Sequence, residues 1–380
     1  MAKKAKEQAK EAPVESGAPK KAAKPAAEKP QPKVDVEKKQ QEFKSQAEIV
    51  HGVLKKYNGT DGDVYVSDGV TAIAKNAFNG CRTLKSIVIP EGVKSIGVSA
   101  FMHCSELESV TLPSGLESIG EKAFHGCRTL KSVVIPEGVK SIGYRAFSDG
   151  SALTSIVIPS SVISLGAKAF SGCAALESLT VAQGNSVYVS EGNCVIEKAT
   201  NSLVLGCKTS VIPQTVTTIG EYAFHGCLGL TAITIPDSVT WIKSGAFGEC
   251  RALTNIKIPR NVIMINDRAF ASCSALTSIA LPFSVTFIGE YCFENCSALT
   301  SIAIPEGITW VWEWTFSGCS ALSEVSLPRS LAAIRARAFD GCHKIQKVTM
   351  PRKLAGGLTK GKLKEYFPDI YAQIKYTFIR

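Results

Sequence analysis

The chain has 380 residues, of which 45% are hydrophobic, and a formal net charge of +10 at pH 7. Its length allows a large buried core, and no run approaches the ~18 apolar residues of a membrane-spanning helix. The basic excess lies at the ends, because residues 1–50 hold 12 Lys against 8 acidic residues and residues 344–380 hold 9 Lys or Arg against 2. The middle is close to neutral, which argues against a nucleic-acid interface there.

Residues 1–46 are predicted to form a disordered tail. They are rich in Ala, Lys, Glu and Pro and nearly free of large apolar residues, so they bury too little surface to offset their ordering entropy. Such a tail serves either as an electrostatic arm for an acidic partner or, more commonly, as a solubilising extension. No apolar stretch follows the early lysines in the pattern of a secretory signal peptide, so we expect a cytoplasmic location by default.

A strict period governs the chain from residue 47 to residue 351. Eleven phenylalanines occupy the same local frame, and nine of the ten intervals between them are 23 residues. They are Phe78, Phe101, Phe124, Phe147, Phe170, Phe224, Phe247, Phe270, Phe293, Phe316 and Phe339. A period of this length predicts a stacked repeat array, which grows by adding turns and not by enlarging one core.

One copy of the repeat runs from Leu84 to Cys104. The β-branched stretch Ile87–Ile89 favours a short strand, and Pro90 ends it because proline has no backbone donor for a ladder. Stacking such copies places strand on strand at about 4.8 Å per turn. We therefore expect a parallel sheet with columns of apolar side chains behind it.

The second part of each repeat is predicted to turn the chain back. Val93 and Ile96 mark another short extended piece, and Gly97 turns the chain. Phe101 and Cys104 are three residues apart on one face, which predicts one compact helical turn.

The unit L-x-x-I-x-I-P-x-x-V-x-x-I-G-x-x-A-F-x-x-C resembles the BspA-like (Treponema pallidum type) leucine-rich repeat, over about residues 50–351. The resemblance implies a leucine-rich-repeat solenoid: a right-handed, curved superhelix of 23-residue repeats, β-rich, with a parallel sheet and short helical turns. It also implies adhesion or protein recognition, often at cell surfaces. A surface or secreted location is therefore the alternative to the cytoplasmic default.

Three segments depart from the regular repeat. Residues 47–69 are similar to the family's usual N-terminal first turn. The interval from Phe170 to Phe224 is 54 residues, and residues 183–213 within it resemble a variant rung with a hairpin-like excursion. Residues 352–380 are predicted to form a C-terminal cap whose basic charge is solvated, with contact to an acidic partner as the less common alternative.

The cysteines are predicted to be structural. Ten of the thirteen share one slot of the repeat, and their spacing lacks the close C-x-x-C pairs of zinc sites. We expect a column of buried free thiols, which pack as small hydrophobes. Cys194 and Cys207 in the insertion are the one plausible disulfide pair, and only for an exported protein. No metal or cofactor site is predicted.

Catalysis is not expected. His125 and Cys127 resemble a base and a nucleophile, but the repeat accounts for both positions and no acid recurs to orient the histidine. Gly-rich phosphate loops, paired-carboxylate sites and Ser-His-Asp sets are likewise missing from the sequence. We therefore predict a protein that is not an enzyme.

Function is sought where the repeats differ. One such position lies just before Ile96 in the copy described above. In the first half of the array it holds small polar residues: Ser95, Ser118, Ser141, Ser164 and Thr218. Later copies place large apolar residues there: Trp241, Met264, Phe287 and Trp310. We expect these four in one line, with Trp312 and Trp314 nearby, as a recognition patch or as part of a wider core.

The sequence supports three functional hypotheses. The first is a monomeric recognition or adhesion module that binds a protein partner through its sheet face and the aromatic residues. The second is glycan binding by the same aromatics. The third is a structural spacer tethered by its basic tail, the one route by which nucleic acid would bind, and such binding would weaken steeply with salt.

Overall fold

Each repeat forms one turn of a β-solenoid with about 13 turns. The structure, a computed structural model, describes residues 35–352, 364–367 and 371–379. It confirms the predicted leucine-rich-repeat solenoid with parallel sheets. The disorder predicted for the tail lies, up to residue 34, outside the described residues.

Two columns of parallel strands run along the solenoid, and successive turns pair in register. The main strands, most of which follow the leading Leu of a repeat, are Asp63–Tyr65, Ser86–Val88, Ser109–Thr111, Ser155–Ile158, Ser178–Val181, Asn255–Lys257, Ser278–Ala280, Ser301–Ala303, Glu324–Ser326, Lys347–Pro351 and Lys375–Ile379. The short strands follow the proline: Ala72–Ile73, Ser95–Ile96, Ser118–Ile119, Ser141–Ile142, Ser164–Leu165, Thr218–Ile219, Trp241–Ile242, Met264–Ile265, Phe287–Ile288, Trp310–Val311 and Ala333–Ile334.

The main-strand column is less continuous than the repeat predicts. Residues 131–136 and 231–236 lie in the described part of the chain and form no named strand, although Thr234 bridges to Lys257. Val134 is 82% exposed at the first of these breaks. The sheet is thus a series of shorter sheets joined by the continuous turn segments behind it.

The segment that carries each phenylalanine is not the predicted helical turn. Ala100 N and Cys104 N donate to carbonyls three residues earlier, at 3.3 and 3.2 Å, whereas Phe101 N donates to Ala123 O of the next turn at 2.7 Å. Alternate amides therefore point along the solenoid axis, so a helical ladder does not form. Ser99 takes a positive φ of 55° to make this possible.

The phenylalanines form two stacks inside the solenoid. One runs from Phe78 to Phe170 and the other from Phe224 to Phe339, with successive ring centroids 4.8 to 5.5 Å apart. Nearly all these rings are fully buried. Each contributes about 1.5–3 kcal/mol by burial, and each stacked pair about 0.5–1.5 kcal/mol more.

The N-terminal end of the solenoid is closed by a helix. Residues 36–46, predicted as part of the disordered tail, form the helix Val36–Gln46, which corrects that prediction. Phe43 is its buried residue, and its ring stacks on Tyr57 at 5.5 Å. Two antiparallel strands follow, Ala47–Val50 and Val53–Tyr57. Phe43 is therefore the buried anchor of a largely polar helix.

The C-terminal end is closed in a similar way. Phe367 stacks on Phe339 at 5.1 Å, so the aromatic column continues past the last regular repeat. The strand Lys375–Ile379 pairs in parallel with Lys347–Pro351 and lies within the predicted cap segment, residues 352–380.

The insertion forms a three-stranded excursion. Its strands Tyr188–Glu191, Cys194–Glu197 and Ser202–Gly206 are antiparallel neighbours, as the hairpin prediction requires. The third strand pairs in parallel with Thr218–Ile219 and so returns the chain to the short-strand column. The hydrophobic core divides into two clusters at this point.

Candidate functional site

The large apolar residues of the short-strand slot line up on the surface. Trp241 pairs in register with Met264, and Met264 with Phe287, on adjacent parallel strands. Trp241 is 45% exposed and Trp310 is 36% exposed, while Met264 and Phe287 are half-buried. These four residues and Trp312 are called the aromatic stripe below. Their neighbours in sequence, such as Ile242 and Ile265, point into the core, so the stripe faces outward.

The stripe is not one uninterrupted ladder as expected. The strand Trp310–Val311 pairs with Ala333–Ile334 and not with the strand of Phe287. Trp312 bridges this break, because its ring lies 5.9 Å from Trp310 and 6.3 Å from Phe287. Trp314 belongs to a different column, where it stacks on Tyr291 at 6.1 Å. The structure therefore brings five of the six predicted residues together.

Cations accompany the C-terminal part of the stripe. The Arg335 guanidinium lies 4.4 Å from the Trp310 ring and 5.7 Å from the Trp312 ring. Arg337 stands in the same way over Trp314, at 4.8 Å. Such contacts hold the indoles in fixed orientations and leave exposed guanidinium groups beside them.

A second column, partly exposed except at the buried Ser99 and Gly245, was missed by the sequence analysis. It consists of the residue two positions before each phenylalanine, and every member has a positive φ of 53–62°. We call it the left-handed column: Asn76, Ser99, Lys122, Arg145, Lys168, Tyr222, Gly245, Arg268, Tyr291, Trp314 and Arg337. The signal was available, because the same 23-residue slot shows the change from small residues to cations and aromatics.

The threonines on the sheet face are used within the sheet. Each hydroxyl of Thr254, Thr277 and Thr300 donates to the backbone carbonyl of the residue one turn earlier, at 3.2–3.3 Å. Ser323 continues the ladder at 3.0 Å. These hydroxyl groups are therefore engaged in hydrogen bonds between successive turns. The aromatic stripe is the better candidate for recognition.

The repeated cysteines form a structural column. The Cys104 Sγ–H donates to Phe78 O at 3.2 Å, and the same contact recurs along both stacks. Burial raises the pKa of the Cys273 thiol to about 12. All thirteen cysteines, including Cys194 and Cys207, are free thiols and lie within the described residues. A protonated thiol that caps a buried carbonyl is a packing group.

The histidine next to a cysteine does not form a nucleophile–base pair. His125 Nδ1 lies 2.6 Å from Ser148 Oγ and 3.6 Å from Asp149, while Cys127 Sγ donates to Phe101 O. Burial lowers the pKa of His125, with Asp149 acting in the opposite direction. Over the described residues, no group of three or more His, Cys, Asp or Glu is arranged to hold a metal ion.

The fold and its surface columns define a leucine-rich-repeat scaffold protein. The family model for the BspA type leucine rich repeat region matches residues 63–191, 202–309 and 242–356. The chain therefore belongs to the BspA-type leucine-rich-repeat family. No curated protein matches it.

Solved structures support the same assignment. A leucine-rich repeat protein from Eubacterium ventriosum has a TM-score of 0.67 and 27% identity, covering 77% of this chain and 83% of that chain. A leucine rich cell surface protein from Faecalibacterium prausnitzii has a TM-score of 0.57 and 28% identity, covering 83% and 93%. The pneumococcal vaccine antigen PcpA, at 18% identity and a TM-score of 0.62, covers 84% and 79% and shows the shared fold alone.

None of the helices in the described part of the chain has the length and apolar character needed to cross a membrane.

Proposed function

We propose that this protein recognises a protein partner through the aromatic stripe. The observation that carries the proposal is the exposure of two tryptophans, Trp241 and Trp310, at opposite ends of one outward-facing line. Large aromatic side chains at partly exposed positions are enriched among the residues that dominate binding energy. The first half of the same slot holds serines, which supports a local specialisation of the second half.

The composition of the stripe favours an apolar partner segment with a carboxylate at one end. Met264 supplies a flexible, polarisable contact between the flat rings. Arg335 leaves an exposed guanidinium beside Trp310, where a partner carboxylate would find a planar donor pair. Arg335 also occupies one face of the Trp310 ring, which disfavours stacking of a sugar on that face.

The test compares binding partners of the full-length protein and of a stripe variant in the native cell. Trp241→Ser combined with Trp310→Ser restores the small polar side chains of the first half. We expect this variant to lose partners that cross-link to the parent. Phe283→Ser is the matched control, because Phe283 is 82% exposed in the same half but lies outside the stripe.

The results separate the three hypotheses. Loss of the same protein from the stripe variant and its retention by the Phe283 control support the proposal. Equal capture by all three proteins would contradict it. Binding of the parent to a glycan array, lost in the stripe variant, would instead indicate a sugar ligand. Binding that weakens steeply as the salt concentration rises, and that is unchanged in the stripe variant, would indicate tethering by the basic tail.

We further propose that recognition takes place in a reducing, cytoplasmic compartment. Thirteen free thiols fit such a compartment, where cysteines stay reduced. A membrane-impermeant biotin reagent applied to intact cells should then leave the protein unlabelled, while lysed cells should give labelling. Equal labelling of intact and lysed cells would place the protein on the surface, like the leucine rich cell surface protein from Faecalibacterium prausnitzii.

A further inference from the structure

The insertion interrupts the left-handed column between Lys168 and Tyr222, and this interruption is called the seam below. Gly206 N donates to Ala223 O at 2.8 Å, as Phe147 N does to Ala169 O, so Gly206 stands in a phenylalanine slot. The segment that leads to Gly206 is a strand and contains no residue of positive φ. The column therefore lacks one member here. As a result Lys168 lies directly against Tyr222, with its Nζ 4.0 Å from the ring centroid.

A groove of 440 Å³ opens beside this seam. It lies where Gly245 and Gly248 carry no side chain, between the ring of Tyr222 and Arg268. A Cβ on Gly245 would lie 2.3 Å from the Tyr222 ring, and the residue has a positive φ of 62°. Glycine at this position therefore keeps the ring in place and the groove open.

Three cations line the groove without a carboxylate partner. Arg145, Lys168 and Arg268 form no ion pair within the described residues. Glu249 and Glu294 also line it, and Glu249 lies 3.7 Å from the Arg251 guanidinium.

The half-buried position of Lys168 has an electrostatic cost. Burial lowers its pKa to about 8, the charge of Arg145 acts in the same direction, and Glu249 acts against them. Arg268 lies 4.2 Å over the Tyr291 ring, which fixes its guanidinium beside the groove. The three cations outnumber the two carboxylates that line the groove, so the groove keeps an excess of preoriented positive charge. A bound anion would supply the missing partner.

We propose that this groove binds a small ligand through an oxyanion, the chemistry shared by phosphate, sulfate and carboxylate groups. Lys168 provides a compact charge at the seam, and the arginines provide planar donor pairs on either side. The ring of Tyr222 forms an apolar wall for the rest of the ligand. The site is separate from the aromatic stripe, so neither proposal depends on the other.

The test titrates the full-length protein calorimetrically with inorganic phosphate, inorganic sulfate, glucuronate and, as a neutral control, glucose. The parent should bind at least one of the anions and not glucose. Lys168→Gln and Arg268→Gln should each weaken that binding roughly tenfold, because each removes a charge-assisted hydrogen bond.

Matched controls come from the same column. Lys122→Gln removes a lysine two turns before Lys168, and Arg337→Gln removes an arginine that stacks on Trp314 as Arg268 stacks on Tyr291. Both lie outside the groove and should bind the anion as the parent does. The double tryptophan variant of the stripe should also bind normally, which keeps the two proposals distinguishable.

The probes also identify the source of the oxyanion. Binding of phosphate or sulfate alone assigns a phosphoryl or sulfuryl ligand, and binding of glucuronate alone assigns a carboxylated sugar. The proposal is overturned if no anion binds. It is equally overturned if the control variants weaken binding as much as Lys168→Gln, since that result would show a diffuse effect of net charge.

Discussion

At the scale of single residues, His225 couples the stability of the seam to pH. Its Nδ1 lies 2.9 Å from Ser171 Oγ, whose hydroxyl donates to the His225 carbonyl at 2.8 Å. The hydroxyl therefore accepts from Nδ1–H. Burial lowers the pKa of His225 to about 4, and the charges of Lys168 and Arg145 act in the same direction.

We predict that acid destabilises the protein through this group. As the pH falls below about 6.5, His225 gains a proton in the unfolded chain but not in the folded one, until the pH nears 4. The free energy of unfolding should fall by up to about 3 kcal/mol across this window. His225→Asn retains a donor for Ser171 and cannot be protonated. Its stability should therefore change less between pH 6.5 and 4.

Urea denaturation at several pH values measures the difference between parent and variant, which cancels the contribution of the carboxylates. His103→Asn is the control, because His103 is exposed. It should follow the parent at every pH. A His225→Asn curve parallel to that of the parent would contradict the assigned role.

At the scale of elements, the end caps prolong the aromatic column. Phe43 of the helix Val36–Gln46 stacks on Tyr57, which in turn lies 5.1 Å from Phe78. The helix is also tied down by Gln46 Nε2, which donates to Asp61 at 2.8 Å. Because each turn of a solenoid contacts its neighbours alone, the first turn depends on this cap.

We predict that Phe43→Ala frays the first turn and leaves the rest of the array intact. The change removes a buried ring and should cost about 3–5 kcal/mol locally. Hydrogen exchange followed by mass spectrometry should show faster exchange in residues 47–65 and unchanged exchange beyond residue 224. Val36→Ala is the control, because Val36 lies on the same helix and is 45% exposed. Unchanged exchange in residues 47–65 of the Phe43 variant would disprove the capping role.

The cap and the seam show which features the sequence can and cannot reveal. The period predicted the strands well, because Ile87–Ile89 has both β-branched residues and a proline stop. Phe43 escaped notice because composition averages a whole segment, whereas docking depends on one aromatic side chain. The contact of Lys168 with Tyr222 was hidden by the 54-residue interval, since only the path of the insertion decides which turns become neighbours.

The missed helix, the missed column and the broken stripe have a common physical cause. The 23-residue period predicts the average role of each position in the repeat. It does not predict the effect of an unusually large or small side chain at one position. Trp312 fills the space between Phe287 and Trp310, where a regular ladder would place only backbone pairing. Grooves and surface patches form at positions whose side chain differs in size from those at the same position in other repeats, such as Gly245.

At the scale of the whole molecule, the two core clusters form separately packed halves. The first extends from Phe43 to Cys207 and the second from Cys194 to Ile374, with the insertion contributing to both. All four tryptophans of the chain lie in the second half. Tryptophan fluorescence therefore reports on that half, while far-ultraviolet circular dichroism reports on both.

We predict that the halves unfold in separate steps in urea, so that the fluorescence and dichroism transitions do not coincide.

Gly206→Ala should destabilise the second half by about 1–3 kcal/mol, because a Cβ there would lie 2.1 Å from the Phe224 ring. The fluorescence midpoint should move to lower urea, while the dichroism step of the first half stays in place. Gly62→Ala, whose Cβ meets nothing closer than 3.6 Å, is the control and should leave the fluorescence midpoint unchanged. Coincident transitions in the parent would mean that the seam transmits stability across the whole array.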